Sequence, residues 1–265
     1  MRPLQSKSQR RGMDIAWSGP FTPAERRLLA SITDGIDRPR LGAIVRRHGE
    51  TGFGRRKRKY LELVNHIGRA FRDVVRLDLH ATARWRVLDI GTGPGAFAHV
   101  LEHLGHEVVA TERAEDESIM WSTWCPEDAL DGFDGPSSGD EEVLGAEASL
   151  YADLADFLGV ERVIWTVEAA KPAPDLGDRF DLICARNLYF DHPRGNQPVW
   201  GLDAWRFFLS DVEARLLAPE GRLFMSLPAG ASEREDLLTA LKEAGAQVSS
   251  RRVLLDRNAC CRFIG

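Results

Sequence analysis

The sequence predicts an α/β protein whose mostly parallel sheet follows an N-terminal helical segment. Three observations support this prediction. The first 80 of the 265 residues carry helix signals and no strand signal. From Arg86 onward, short apolar runs alternate with amphipathic stretches, which indicates parallel strands joined by crossover helices. The first apolar run is followed at once by a glycine-rich turn, Gly91–Gly95.

We expect three helices before residue 80. Thr22–Glu25 reads as a capping box with proline at the first helical position, and it opens a helix that runs to about Ile32. The second helix is predicted at about Pro39–His48 and the third, with a long apolar stripe, at about Arg55–Leu77. Residues 1–12 are expected to be a disordered tail. The chain is therefore divided into an N-terminal helical cap, 1–80, and an α/β domain, 81–265.

The α/β domain is predicted to hold seven strands, five of them parallel and the last two forming an antiparallel hairpin. We assign the hairpin to Gln247–Leu255 and Ala259–Ile264, around a turn at Asp256–Asn258. A helix at Leu202–Leu217 is expected to follow the fourth strand. The five parallel strands are predicted at Arg86–Ile90, Glu107–Thr111, Arg162–Val167, Phe180–Ala185 and Arg222–Leu227.

A long acidic insertion interrupts this alternation at about 113–146. It is rich in Asp, Gly and Ser, so we interpret it as a loop, either a lid or a disordered segment. Residues 113–160 hold one Arg against 13 Asp/Glu, a net charge of −12. Residues 1–80 hold 18 Lys/Arg against 8 Asp/Glu, a net charge of +10. Two opposed blocks in one chain are expected to attract each other.

The glycine-rich turn is the strongest functional motif. Gly91, Gly93 and Gly95 allow a sharp turn and a close approach of the backbone to a ligand. The pattern Gly91-x-Gly93-x-x-Ala96 also satisfies the loose dinucleotide fingerprint. Asp89 argues against a dinucleotide, because a carboxylate repels a pyrophosphate and suits a cationic ligand without phosphate.

An acidic residue followed by Gly-x-Gly-x-Gly resembles motif I of the class I S-adenosylmethionine-dependent methyltransferases. The resemblance covers about residues 86–265 and implies a Rossmann-like, mostly parallel seven-stranded sheet with a C-terminal antiparallel hairpin. It implies S-adenosyl-L-methionine as the cofactor, with Glu112 at the ribose position and Glu168 at the adenine position. The cofactor-binding residues it implies are Asp89, Gly91, Thr92, Gly93, Gly95, Glu112, Glu168, Ala169 and Asn187.

The turn after the fourth strand is where this family holds the methionine part of its cofactor and faces the methyl group. Arg186-Asn187-Leu188 resembles a step common in the family, although Tyr189 and Phe190 stand where small-molecule members often have histidines. A hydroxyl acceptor benefits from a general base. We take His192 and Asp191 as candidate bases and Tyr189 as a pocket wall. No metal-ligand pattern is evident in the sequence.

The basic run Arg55–Lys59 has three interpretations: a nucleic-acid patch, a grip on an acidic ligand, or a solvated helix start. We favour the solvated helix start or a contact within the chain, because no RNA-binding module accompanies the run. No apolar run reaches the length needed to span a bilayer, and the four cysteines lack metal-ligand spacing. We therefore expect a cytoplasmic protein with no membrane partner. The sequence leaves the oligomeric state open.

The favoured function is methyl transfer from S-adenosylmethionine to a small organic acceptor in an enclosed site. One alternative is an RNA or protein methyltransferase, in which nucleic acid is the less favoured partner. The other alternative is a non-catalytic protein that binds S-adenosylmethionine. Tyr189 and Phe190 keep that alternative open, because they stand where small-molecule members of the family often have histidines.

Overall fold

The structure, a computed structural model, describes residues 20–49, 63–113, 150–186, 200–227 and 234–265. The described part of the chain forms one seven-stranded sheet with helices on both faces. The strands are β1 (Arg86–Ile90), β2 (Glu107–Glu112), β3 (Arg162–Ile164), β4 (Phe180–Arg186), β5 (Leu217–Ser226), β6 (Gln247–Ser249) and β7 (Arg252–Asp256). The helices are α1 (Pro23–Asp34), α2 (Arg38–Gly49), α3 (Leu63–Arg76), α4 (Ala96–His103), α5 (150–157), α6 (Leu202–Asp211), α7 (Glu235–Glu243) and α8 (Arg257–Ile264).

The sheet has the strand order β3-β2-β1-β4-β5-β7-β6. Strands β1 to β5 pair in parallel, whereas β7 pairs antiparallel with both β5 and β6. The predicted fold class, a mostly parallel sheet closed by an antiparallel hairpin, is therefore confirmed. The chain leaves β1 in one direction for β2 and β3 and returns on its other side with β4 and β5. That reversal creates a crevice at the carboxyl ends of β1 and β4, where open α/β sheets bind ligands.

Alternate residues of the central strands enter two different cores, as the pleat requires. Leu88 and Ile183 pack beneath α6, α7 and α8 on one face of the sheet. Val87 and Leu182 pack on the other face with α1, α3, α4 and α5. Helix α3 buries five residues in this second core: Leu63, Ile67, Ala70, Phe71 and Val74. The N-terminal helices thus share a core with the sheet.

The predicted position of the C-terminal hairpin is wrong. Both strands lie within Gln247–Asp256, joined at Ser250, whose φ is +55°. The segment Ala259–Ile264, predicted as a strand, belongs to helix α8. The reason is that Asp256 is a helix N-cap, with its carboxylate accepting a hydrogen bond from the Ala259 N–H at 2.7 Å.

Several element boundaries also differ from the prediction. Helix α6 ends at Asp211 and continues as a π-helical turn, Val212–Leu216, so that β5 begins at Leu217. Strand β3 ends at Ile164, three residues before the predicted end. The capping box at Thr22 is confirmed, since Thr22 and Glu25 each accept the other's backbone N–H through their side chains.

Four sequence predictions lie outside the described residues. These are the N-terminal tail, the start of the third helix with its basic run, most of the acidic insertion, and the turn after β4. Within the described ranges, no helix is both long enough and apolar enough to cross a membrane.

Candidate functional site

The glycine turn lies between β1 and α4, at the crevice where the strand order reverses. Gly91, Gly93 and Gly95 all have positive φ, at +64°, +55° and +73°, a conformation that strains residues with a Cβ atom. The turn is tied to β2 because the Thr92 N–H donates to the Thr111 carbonyl at 2.9 Å. The sequence motif therefore forms the backbone shape that was predicted for it.

Two of these glycines have different surroundings. A Cβ at Gly95 would lie 3.1 Å from the Val160 side chain and 3.2 Å from the Ala155 Cα, so Gly95 is needed for close packing against α5 and the residues after it. A Cβ at Gly93 would meet no atom of the described residues within 4 Å. The Gly93 N–H binds the Glu112 carboxylate at the end of β2, so this open space lies at the carboxyl edge of the sheet, where a side chain could take the place of a ligand.

Asp89 lies beneath the turn with only 1% of its surface exposed. Its carboxylate accepts a hydrogen bond from the Thr92 hydroxyl at 2.7 Å and so supports the turn from inside. Burial raises the pKa of Asp89, and the charge of Arg186 and the Thr92 hydrogen bond oppose that rise. Thr92 and the turn backbone would therefore lie between the Asp89 carboxyl group and a ligand on the turn.

Glu112, at the end of β2, faces the glycine turn. One carboxylate oxygen accepts the Gly93 N–H at 2.8 Å and the other accepts the Arg113 N–H at 3.1 Å. Each oxygen retains a lone pair, because a carboxylate offers about four acceptor positions. Glu112 therefore stands beside the open glycine with acceptor capacity left, as a ribose-binding carboxylate requires.

The segment after β3 contributes less to the candidate site than the glycine turn and Glu112 do. Glu168 forms a surface ion pair with Lys171 at 2.8 Å, and both side chains are about half exposed or more. Ala169 and Ala170 form the turn that follows, where Ala170 has a φ of +57°. The Trp165 N–H donates to the Glu112 carbonyl at 2.8 Å, which aligns the start of this segment with β2. The adenine-binding roles of Glu168 and Ala169 stay predictions.

Arg186, at the end of β4, joins the site in a way that the sequence reasoning missed. Its guanidinium lies over the Phe97 ring, 4.2 Å from the ring centroid, and contacts the Asp73 carboxylate of α3 at 3.5 Å. The sequence does carry one signal for Asp73, an acidic residue at the edge of the apolar stripe of α3. Asn187 and the candidate catalytic residues Tyr189, Asp191 and His192 lie outside the described residues.

The strand order, the antiparallel hairpin and the glycine turn after β1 together define the class I S-adenosylmethionine-dependent methyltransferase fold. The sequence matches no protein-family profile and no curated protein sequence. The structure is similar to that of the ribosomal protein L11 methylase from Lactobacillus delbrueckii subsp. bulgaricus. The two are 16% identical, with a TM-score of 0.37 over 70% of this chain and 78% of that one.

Two further solved structures are similar to this chain at comparable identity, coverage and TM-score. The rRNA methyltransferase aviRa from Streptomyces viridochromogenes is 12% identical, with a TM-score of 0.38 over 72% of this chain and 86% of that one. The glycopeptide N-methyltransferase MtfA, solved with S-adenosyl-L-methionine, is 18% identical, with a TM-score of 0.32 over 69% of this chain and 64% of that one.

Proposed function

We propose that this protein is an enzyme that transfers a methyl group from S-adenosylmethionine to a small organic acceptor. The observation that carries the proposal is the pairing of Gly93, beside which the described residues leave open space, with Glu112, whose carboxylate stands beside it. In this arrangement the turn backbone lies against the cofactor and Glu112 accepts hydrogen bonds from its ribose hydroxyls. Asp89 supplies a buried negative charge beneath the cationic end of the cofactor.

The bound cofactor supplies an activated methyl group on a sulfonium, which is already a good leaving group. The protein's contribution is then mainly alignment of the acceptor atom with the methyl carbon, which can lower the barrier by about 7–11 kcal/mol. The turn, Glu112 and the end of β4 fix one partner of this reaction. Helix α3 packs on this face of the sheet as far as the end of β4, where Asp73 contacts Arg186, so it would border a small acceptor bound at that edge. The three described cysteines are free thiols, which is compatible with the predicted cytoplasmic location.

Calorimetry with the purified chain tests the cofactor. We expect S-adenosylmethionine and S-adenosylhomocysteine to bind, and NAD not to bind. Glu112→Gln should weaken S-adenosylhomocysteine about tenfold or more, because a charged acceptor for the ribose hydroxyls becomes a neutral one. The matched control is Glu107→Gln at the opposite end of β2, whose carboxylate binds Arg86 and is remote from the turn. NAD binding that Glu112→Gln weakens would contradict the cofactor assignment.

The candidate base gives a second test. If the acceptor is a hydroxyl, His192→Ala should lower kcat about 10²–10⁴-fold while S-adenosylhomocysteine affinity is unchanged, because a base acts only on the acceptor proton. If the acceptor is a neutral amine or a thiolate, the same variant should be nearly silent. The pH–rate profiles of both proteins distinguish these cases. Loss of cofactor binding in His192→Ala would show that this histidine is not the base.

A further inference from the structure

Arg186 lies between two carboxylates that belong to different parts of the fold. Its guanidinium lies over the Phe97 ring, 4.2 Å from the centroid, and contacts the Asp73 carboxylate of α3 at 3.5 Å. The second carboxylate is Asp89 of β1, which is in register with Cys184 of β4. Arg186 follows Cys184 by two residues, so it lies on the same face of the sheet as Asp89 and is its diagonal neighbour.

The position of the Arg186 guanidinium depends on helix α3. Within the described ranges Arg186 forms one ion pair, with Asp73, and its buried Nε has no hydrogen-bond partner. Asp73 is itself fixed by a second ion pair on the same helix, with Arg76 at 2.9 Å. Because α3 is anchored in the core by its buried face, Asp73 holds the guanidinium at a defined place beside β1.

Asp89 is the group on which the charge of Arg186 acts. Burial raises the pKa of Asp89 most strongly, and the charge of Glu112 raises it less. The charge of Arg186 lowers that pKa, as does the hydrogen bond from Thr92, so Arg186 is the cation that favours the ionised form. Cys184 stays a neutral thiol, because burial and the charge of Asp89 raise its pKa.

We propose that Arg186 is a positioning residue for the cofactor: held in place by Asp73 of α3, it keeps Asp89 ionised beneath the glycine turn, where the negative charge attracts the sulfonium of S-adenosylmethionine. This inference rests on the proposed function and extends it to the N-terminal helices. An ionised Asp89 also favours the charged methyl donor over S-adenosylhomocysteine, the product, which has no sulfonium. The affinity for the donor therefore depends on where α3 places Asp73.

Carbon-13 NMR of the aspartate carboxyl groups tests the effect of Arg186 in the intact, ligand-free chain. The Asp89 signal is identified by its loss in Asp89→Asn. Arg186→Gln should raise the titration midpoint of Asp89 by about one pH unit, because no nearby cation then favours the ionised form. Arg206→Gln removes the same charge from a surface ion pair on α6 and should leave the midpoint unchanged. Equal midpoints in the wild type and Arg186→Gln would overturn the proposal.

Asp73→Ala tests whether α3 holds the guanidinium. Loss of a negative charge would by itself lower the titration midpoint of Asp89, whereas release of the Arg186 guanidinium should raise it. We expect a rise, smaller than that in Arg186→Gln; a fall or an unchanged midpoint would overturn the role of Asp73. Arg186→Lys keeps the charge and loses the planar fork, so its midpoint should lie between those of the wild type and Arg186→Gln. If Arg186→Gln does not fold, wild-type midpoints in both Asp73→Ala and Arg186→Lys would overturn the proposal.

Calorimetry at a series of pH values connects this titration to the cofactor. The affinity for S-adenosylmethionine should fall as the pH drops through the midpoint of Asp89, and in Arg186→Gln that fall should begin about one pH unit higher. The affinity for S-adenosylhomocysteine should fall less in both proteins. If the midpoint moves as expected but the wild type binds neither ligand, the methyltransferase assignment fails and the effect of Arg186 on Asp89 stands. If both ligands bind with the same pH dependence in the two proteins, only the positioning role fails.

Discussion

Gly93→Val is expected to abolish S-adenosylhomocysteine binding while the protein stays folded. No described atom lies within 4 Å of the added Cβ, and Gly93 stands beside Glu112 at the carboxyl edge of the sheet, where the cofactor is proposed to bind. The ligand and the valine would then compete for the same space. The positive φ of +55° adds strain of about 1–2 kcal/mol, which lowers stability without removing the fold.

The matched control is Gly105→Val, in the turn after α4. Gly105 also has a positive φ, +87°, and its added Cβ also meets nothing within 4 Å among the described residues. It therefore experiences the same kind of backbone strain at a distance from the crevice. Calorimetry should find wild-type affinity in Gly105→Val and none in Gly93→Val, with similar losses in unfolding midpoint. Normal affinity in Gly93→Val would show that the turn does not contact the cofactor.

The parallel part of the sheet was predictable because its strands are short apolar runs with clear ends. Strand β1 agrees with the prediction residue for residue, and β2 and β4 each extend one residue further. Buried strands of this kind carry their signal locally, in β-branched and apolar residues followed by Gly or a charged residue. The turn after β1 was predictable for a similar reason, since three glycines at alternate positions have few other uses.

The wrong strand prediction at Ala259–Ile264 arose because Asp256 has two competing physical interpretations. Asp256 can begin a turn or cap a helix, and the sequence Asp256–Asn258 fits both. Tertiary packing decided the outcome, because Ala259, Cys260 and Phe263 are buried together as one helical face in the core beneath α8. A single sequence does not contain the identity of the surface against which that face packs.

The contact between Asp73 and Arg186 could not be predicted from the sequence for a similar reason. The two residues are 113 positions apart in the chain and meet only because α3 packs across the edge of β4. The amphipathic stripe of α3 predicts that one side is buried but does not predict which strand it covers. The motif residues could be found because their geometry is local, whereas the contact between Asp73 and Arg186 depends on how α3 packs across the sheet.

Asp89→Asn is expected to separate stability from ligand affinity. The asparagine keeps an oxygen that can accept the Thr92 hydroxyl, which now binds the Asp89 carboxylate at 2.7 Å, and it removes the buried charge. Burial raises the pKa of Asp89, so the folded protein binds this proton more tightly than the unfolded chain does. The resulting stabilisation is fully present below the unfolded carboxyl pKa of about 3.9, and it is lost as the pH rises through the pKa of the folded protein. At pH 7 the variant should therefore unfold at a higher temperature than the wild type. That difference should shrink as the pH falls toward 4.

Ligand affinity should change in the opposite direction. Asp89→Asn removes the negative charge beneath the turn, so S-adenosylmethionine, which carries a sulfonium and an ammonium, should bind about tenfold more weakly at pH 7. S-adenosylhomocysteine lacks the sulfonium charge and should lose less. Asp181→Asn is the matched control, because Asp181 accepts the Arg86 N–H at 2.8 Å near the start of β4, at the opposite edge of the sheet. Unfolding scans from pH 4 to 8 and calorimetry with both ligands provide the measurements. If Asp89→Asn is less stable and binds S-adenosylmethionine as well as the wild type does, Asp89 only supports the turn. If the variant is more stable and binds S-adenosylmethionine more weakly, the buried charge of Asp89 is retained for the ligand.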